Sequence, residues 1–495
     1  MTDDVAALRE FVVAHRRDLV AQLAEWVRIP SVAGDPEHAD DLRWSAQFLA
    51  GLCREAGFPR VEVWPQGDTF AVFAEWRADA AERADGAGDA VSTVLVYSHH
   101  DVRAVGDETW TRTHPFRPVE QDGCLYGRGA SDAKGQVIAH LWGLRAHLAN
   151  RAPARTDAAT DARTDQAEVA PAVTIRLLIE GEEELGSPHL SDLLDEHAAD
   201  LACDLVLYSD TLMLDPGRPA VTTSVRGMIG AELTVLGPER DVHSGAVSGP
   251  SPNPNADLAR LIVLLHDDDG CVTLPGFYDA VTTPTTEQRR DYAALGVDEG
   301  WWLAESSTAR VTGESGYTIP ELLWARPAIE VISMKGGETE GLPRAVIPAS
   351  ATASLSIRLV DGQDPQRVAE QLERWAAEHA HTRGIRYELS ISHTTAELPY
   401  RTPDHPAVDA LAAAMGAAFE VDEVGRMGNA GGGPTELLAR KLDAPLLFFG
   451  TGLVSDGWHA ADEHVRLDVL ERGAVTLAAF WSAPPTGSRP AAAPR

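Results

Sequence analysis

The feature that most limits how this chain can fold is a set of short apolar runs, each ending on a histidine or a carboxylate. Ser92 to Tyr97, Val173 to Ile179 and Leu205 to Tyr208 are rich in β-branched residues and give way at once to polar or acidic positions. Short runs that are apolar on both faces read as buried parallel strands. Helical patterns alternate with them, Gln136 to Ala149 and Leu190 to Ala199 among them, so the expected architecture is an α/β sheet covered on both faces. Ligands of such sheets gather beyond the carboxyl ends of the strands, where these histidines and acids stand.

The pattern changes after Gly217. Ala231 to Leu236 reads as a strand, Asn255 to Leu265 as a helix, Ala328 to Ile332 and Ala351 to Leu359 as strands, Pro365 to His379 as a helix and Tyr387 to Ser392 as a strand. That order predicts an α+β module of ferredoxin-like type. The α/β alternation then resumes with a helix from Ala407 to Ala418, a strand from Pro445 to Phe449 and a closing helix from Leu467 to Trp481. A large domain in two parts, residues 1–216 and 396–483, is therefore expected to carry a smaller one, residues 217–395, inserted between them. A Pro/Ala tail, residues 484–495, is expected to be disordered. Arg77 to Ala90 and Arg151 to Ala170, built mostly of small and polar residues, read as surface insertions.

Composition removes several function classes. With 75 acidic residues against 42 basic ones and a net charge of −33, a surface that neutralises phosphates is not expected, so neither nucleic acid nor an anionic membrane is an expected partner. No segment approaches ~18 uninterrupted apolar residues. The start of the chain is acidic and amphipathic (Val5, Leu8, Phe11, Val12), which reads as a first helix rather than a signal peptide and makes the cytoplasm the expected compartment. The four cysteines, Cys53, Cys124, Cys203 and Cys271, form no C-x-x-C pair and suggest neither a zinc knuckle nor a disulfide framework.

Five features follow strand-like runs. His99 and Asp101 lie two apart on an extended segment and share a face, so the carboxylate can orient a ligating imidazole. Asp132 sits in a glycine-rich stretch at a helix start, where an N-cap is the plain alternative. Glu180-Gly181-Glu182-Glu183-Glu184 places four carboxylates within five positions at a strand end, a costly arrangement unless a cation compensates it. Asp210 and His459 each follow a further apolar run. Two histidines and several carboxylates suit a pair of divalent cations about 3.5–4 Å apart that activate one water, and amide hydrolysis is the natural chemistry.

The strings Ser98 to Val102, Leu125 to Gly135, Glu180 to Ser187, Asp241 to Gly245 and His459 to Glu463 closely resemble the co-catalytic metallopeptidase family of carnosinase, cytosolic nonspecific dipeptidase, aminoacylase, acetylornithine deacetylase and succinyl-diaminopimelate desuccinylase. The stretch from Leu323 to Pro365, with Gly336-Gly337-Glu338-Thr339-Glu340-Gly341 and Ser356-Ile357-Arg358-Leu359-Val360, looks most like the dipeptidase branch. The resemblance implies a mixed-sheet catalytic domain of the zinc-exopeptidase type with an inserted ferredoxin-like lid and dimerisation domain. It implies two divalent ions per subunit, Zn or Mn/Co, one held by His99, Asp132 and Asp210, the other by Asp132, Glu184 and His459. Glu183 would then take a proton from the bridging water, and Asp101 would fix His99. In a homodimer, His243 of the partner subunit would stabilise the oxyanion. Arg358 would hold the substrate carboxylate, with Thr339 a further contact.

Two departures stand out. Ala133 occupies a position where many relatives carry an acid or amide. Gly428-Asn429-Ala430-Gly431-Gly432-Gly433-Pro434 stands where dipeptidases carry an arginine and a serine before Ile-Pro. The expected activity is hydrolysis of dipeptides or short peptides with a free C-terminal carboxylate. An N-acyl-amino-acid amidohydrolase would use the same metals and base, and a silent binding protein that keeps the pocket is the remaining alternative.

Overall fold

A computed structural model describes residues 2–78, 93–151, 173–306, 308–337 and 344–482. Most of both insertions, the tail and Thr339 lie outside the described residues. The chain divides into two compact units. One comprises Met1–Thr223, Thr402–Met427 and Leu437–Arg495, the other Ser224–Arg401 and Gly428–Glu436.

The first unit is built on a six-stranded sheet in the order Arg60–Gln66, Thr69–Trp76, Thr174–Glu180, Thr93–His99, Leu205–Tyr208, Leu446–Phe448. The last four strands run parallel, while the first two form an antiparallel hairpin on the edge, so the sheet is mixed. The hairpin is not marked by an apolar run, because the outermost strand alternates Val61 and Val63 with Arg60 and Glu62 and is only half-buried over its first four residues. Helices Lys134–Arg151 and Leu467–Ser482 are mostly buried. They approach closely at Gly143, where a Cβ would stand 2.8 Å from the Ala474 carbonyl oxygen. The helix expected from Leu190 to Ala199 is instead two, Leu190–Glu196 and Ala198–Leu201. They part at His197 (φ −107°, ψ 21°), whose ring stacks on Trp64 at 3.6 Å.

Parallel pairing aligns the strand ends. His99 stands beside Glu180, and Ser209 N donates to Tyr97 O at 2.8 Å. The residues after each strand therefore emerge along one edge of the sheet.

The second unit has a four-stranded antiparallel sheet in the order Ala328–Gly336, Ser350–Leu359, Gly227–Leu236, Arg386–Glu397. Helices Pro254–Val263 and Pro365–Arg383 complete a β-α-β-β-α-β order, the ferredoxin-like arrangement. The longer helix is well specified locally. Asp364 caps it by accepting from Arg367 N at 2.9 Å, Pro365 opens its first turn, and Gly384 (φ 65°) ends it. Strict alternation along Ser350–Leu359 buries Ala351, Ala353, Leu355, Ile357 and Leu359 against Leu258, Leu261, Leu372 and Trp375. The opposite face carries Thr352, Ser354, Ser356 and Arg358. Three short helices, Thr286–Ala294, Glu299–Glu305 and Ile319–Trp324, were not expected from the sequence. Their six to nine residues give too few turns for a clear apolar stripe. Among the described residues no helix is long and apolar enough to cross a membrane.

Candidate metal centre

The first unit brings together six of the expected residues, His99, Glu183, Glu184 and Asp210 at or just past the ends of sheet strands, Asp132 in the turn before helix Lys134–Arg151 and His459 in the loop after Asp456. Ligating atoms of His99, Glu183 and Asp210 lie within 4.8 Å of one another, and so do those of Asp132, Glu184 and His459. Asp132 links the two groups: one carboxylate oxygen is 3.3 Å from His99 Nε2, the other 3.0 Å from His459 Nε2. Asp210 Oδ1 lies 3.6 Å from His99 Nε2, and Glu184 Oε2 lies 3.4 Å from His459 Nε2. Glu183 thus stands within ligating reach of one group, beyond its expected place as a base alone.

Each side chain is placed by its element. His99 is the last residue of its strand and fully buried. Its Nδ1 lies 3.1 Å from the Asp101 carbonyl oxygen and 3.3 Å from the Asp101 carboxylate, which leaves Nε2 directed at the acids. Asp101 also accepts from the backbone N–H groups of Glu183 (3.2 Å) and Glu184 (3.0 Å). It therefore joins the histidine to the one-turn helix Glu183–Leu185 that presents both glutamates. Below this turn, Glu180 accepts from Tyr97 and, at 2.8 and 2.9 Å, from Ser187 and Gln66.

Glu463 is a positioning group that reading the motifs did not single out. Its carboxylate, fully buried, accepts from Arg128 Nη1 at 2.7 Å and from the backbone N–H groups of Gly129 (2.9 Å), Ser131 (3.2 Å) and Asp132 (3.2 Å). It folds the loop that carries Asp132. The available signal was its place in the same string as His459, matched by Arg128 in the string of Asp132. Buried Asp456 supports the arrangement, accepting from Ser131 Oγ at 2.7 Å, while Trp458 Nε1 donates to that hydroxyl at 2.8 Å.

The electrostatics fit a cationic guest. Burial, and next Asp210, hold Glu183 well above the ordinary carboxylate range. Burial and Asp132 push Glu184 up to about 8. Burial opposes charge on His99 as well, yet Asp101, Asp132 and Asp210 hold its pKa above the usual value. His99 Nε2, Asp132 Oδ2, Glu184 Oε1 and Asp210 Oδ1 are buried and none makes an aligned hydrogen bond, although the histidine and aspartate atoms lie 3.0–3.6 Å from neighbouring ligand atoms. Buried lone pairs are rarely left unmatched, and four converging on one place fit divalent cations with nitrogen and oxygen ligands.

The remaining expected residues belong to the second unit. His243 ends the two-residue strand Val242–His243, paired with Val346–Ile347, and its side chain is exposed. Arg358 lies on the polar face of the four-stranded sheet, opposite Met228 and Ala328.

Comparison with known proteins agrees with this geometry. The model of the family described as "Peptidase family M20/M25/M40" matches residues 95–483. The chain is 28% identical to cysteinylglycine-S-conjugate dipeptidase of Corynebacterium striatum, covering 97% of this chain and 98% of that one. It is 26% identical to Beta-Ala-His dipeptidase of Rattus norvegicus, over 96% and 94% of the two chains. Among solved structures, human carnosine dipeptidase 1 superposes with a TM-score of 0.80 at 25% identity, covering 96% of this chain and 98% of that one.

Proposed function

The chain belongs to peptidase family M20/M25/M40, and from that membership we propose that it is a two-metal dipeptidase that cleaves dipeptides or short peptides with a free C-terminal carboxylate. The observation that carries the proposal is the convergence of His99, Asp132, Glu183, Glu184, Asp210 and His459 into two ligand groups, with four buried polar atoms that make no hydrogen bond. Full-length similarity to dipeptidases in both sequence and structure supports the substrate class.

His99, Asp132 and Asp210 would hold one ion and Asp132, Glu184 and His459 the other, with Zn, Mn or Co suited to such ligands. When bound, the ions supply Lewis-acid polarisation of the scissile carbonyl. Glu183 takes the proton of the attacking water and returns it to the leaving amine. Burial, which holds its pKa above the ordinary carboxylate range, suits a group that must give the proton back as well as take it. Asp101 acts through His99 and through the backbone of the Glu183 turn. Arg358 receives the substrate carboxylate, Thr339 is a further substrate contact, and His243 of the partner subunit stabilises the oxyanion.

The homodimer this requires is supported by the edge strand Ala328–Gly336, which exposes Val331, Ile332 and Met334. Exposed apolar edges of this kind are ordinarily covered. We place it in the cytoplasm, in accord with four cysteines that form no disulfide among the described residues.

The test is hydrolysis by protein stripped with chelator and reloaded with Mn or Zn, offered dipeptides, their C-terminal amides and N-acetyl amino acids. Metal-dependent cleavage that favours free-acid dipeptides is the expected result. Preference for N-acetyl amino acids would make the protein a deacylase instead, and no metal-dependent turnover would refute the enzyme reading.

A further inference from the structure

The second unit contains a cavity of 570 Å³, within the range of small-molecule sites, whose charge runs against that of the chain. Arg226, Arg310, Arg326 and Arg358 line it against only Glu314 and Glu330, in a protein where acids outnumber bases 75 to 42. Arg326 and Glu314 cancel as a buried pair at 2.7 and 3.0 Å. That leaves three guanidinium groups facing one exposed glutamate.

The floor is the polar face of the sheet. Arg226 stands directly before strand Gly227–Leu236, two residues from Met228, which pairs with Arg358. Alternation therefore places Arg226 and Arg358 on the same face as diagonal neighbours, with Ser356 and Glu330 along it. Arg226 gives its Nε–H to the Ala430 carbonyl oxygen at 3.1 Å. Neither arginine makes an ion pair within 4 Å among the described residues. Glu397, the acid nearest in effect to Arg358, accepts from Gly433 N at 2.7 Å. Burial, and then the neighbouring Arg358, push Arg226 down to about 9. Two like charges held together and partly out of water are costly unless an anion joins them.

We propose that this cavity binds the two carboxylates of an acidic C-terminal residue, Arg358 taking the main-chain carboxylate and Arg226 the side-chain one, so that peptides ending in Glu or Asp are preferred substrates. The assignment rests on the dipeptidase reading for the role of Arg358. Charge-assisted guanidinium–carboxylate bonds are the strong ones, and losing one partner leaves the other exposed to its full desolvation cost. At about 1.4 kcal/mol per tenfold, a selectivity of roughly ten- to a hundredfold is expected.

The experiment compares kcat/KM for Ala-Glu and Ala-Gln, which differ in that carboxylate alone, using the full-length Mn-loaded protein. Wild type should favour Ala-Glu by about tenfold or more. Arg226→Gln should bring the ratio near unity through KM, and Arg226→Lys should keep part of it. Equal cleavage by wild type, or a ratio unmoved by Arg226→Gln, would overturn the proposal, and the wild-type comparison stands even if the variants do not fold. If other dipeptides are cleaved and Ala-Glu is not, this proposal fails; if no dipeptide is cleaved, the peptidase reading fails by itself, and calorimetric titration with glutarate and its monoamide decides this one. Binding of glutarate but not the monoamide, lost in Arg226→Gln, would support it. No binding, or inorganic phosphate binding as tightly as glutarate, would overturn it.

Discussion

Replacing Glu463 with glutamine isolates the charge that organises the Asp132 loop. The glutamine carbonyl oxygen can still accept from the backbone N–H groups of Gly129, Ser131 and Asp132, which all point at one carboxylate oxygen. Its amide nitrogen then replaces the oxygen that meets Arg128 Nη1 at 2.7 Å, so donor faces donor. Arg128 is 2% exposed and its Nε already lacks a partner, so the guanidinium becomes an uncompensated buried cation. Removing one partner of such a pair costs about 3–5 kcal/mol, roughly a hundredfold to several thousandfold in the unfolding equilibrium. Urea unfolding of chelator-treated protein should show the midpoint fall at an unchanged m-value. Arg128→Met in the same background removes the stranded charge and should restore at least half of the loss. A Glu463→Gln midpoint equivalent to less than about 1 kcal/mol of destabilisation, or a double variant as weak as the sum of the singles, would refute this account.

Glu183→Gln should abolish turnover and leave two metal ions per chain by elemental analysis. Asp132→Asn, which weakens both groups, should lower the content of both ions, and loss of metal from Glu183→Gln would make Glu183 a ligand. His147, whose Nδ1 lies 2.9 Å from Ser482 Oγ, is held down to about 4 by burial. Between that value and the unfolded value of 6.5 the unfolded chain binds a proton that the folded chain refuses. Stability should therefore drain as pH falls through this window, by about 1.4 kcal/mol per pH unit. His147→Gln should lose that component, and parallel pH profiles for the two proteins would sink the assignment. A Cβ on Gly432 would strike the Glu397 carboxylate that Gly433 N donates to. Gly432→Ser should accordingly cost about 0.5–1.5 kcal/mol, the worth of that hydrogen bond, and much less in a Glu397→Ala background by thermal unfolding.

Much of the fold was legible because its strands are buried on both faces. The runs ending near Tyr97, Ile179 and Tyr208 are dominated by buried apolar residues, with Arg176 the one charge inside them, and each became a strand within two residues of the expected limits. The hairpin Arg60–Trp76 was illegible for the opposite reason: an edge strand that is half-buried mixes Arg60, Glu62 and Gln66 with its apolar residues. The break at His197 could not be read from periodicity either, because it comes with a ring stacked on Trp64 from a strand more than a hundred residues away. Local propensity carries no information about such a partner.

The site shows the same division between what is local and what is not. His99 with Asp101, and Glu183 with Glu184, declared themselves because a carboxylate or imidazole at the end of a buried strand needs a compensating charge, and that cost is visible in sequence. The Arg128–Glu463 pair spans 335 positions, and its task is to receive backbone N–H groups, which every residue has and no motif encodes. The glycines at 431–433 were a bare departure until Glu397 was seen beside Gly432 and Arg358. There the missing side chain makes room for an acid that reaches the loop backbone, and only the folded chain shows which residue claims the space. Ligand identity follows from residues that are costly where they stand; the geometry that makes them work is held by residues that look ordinary one at a time.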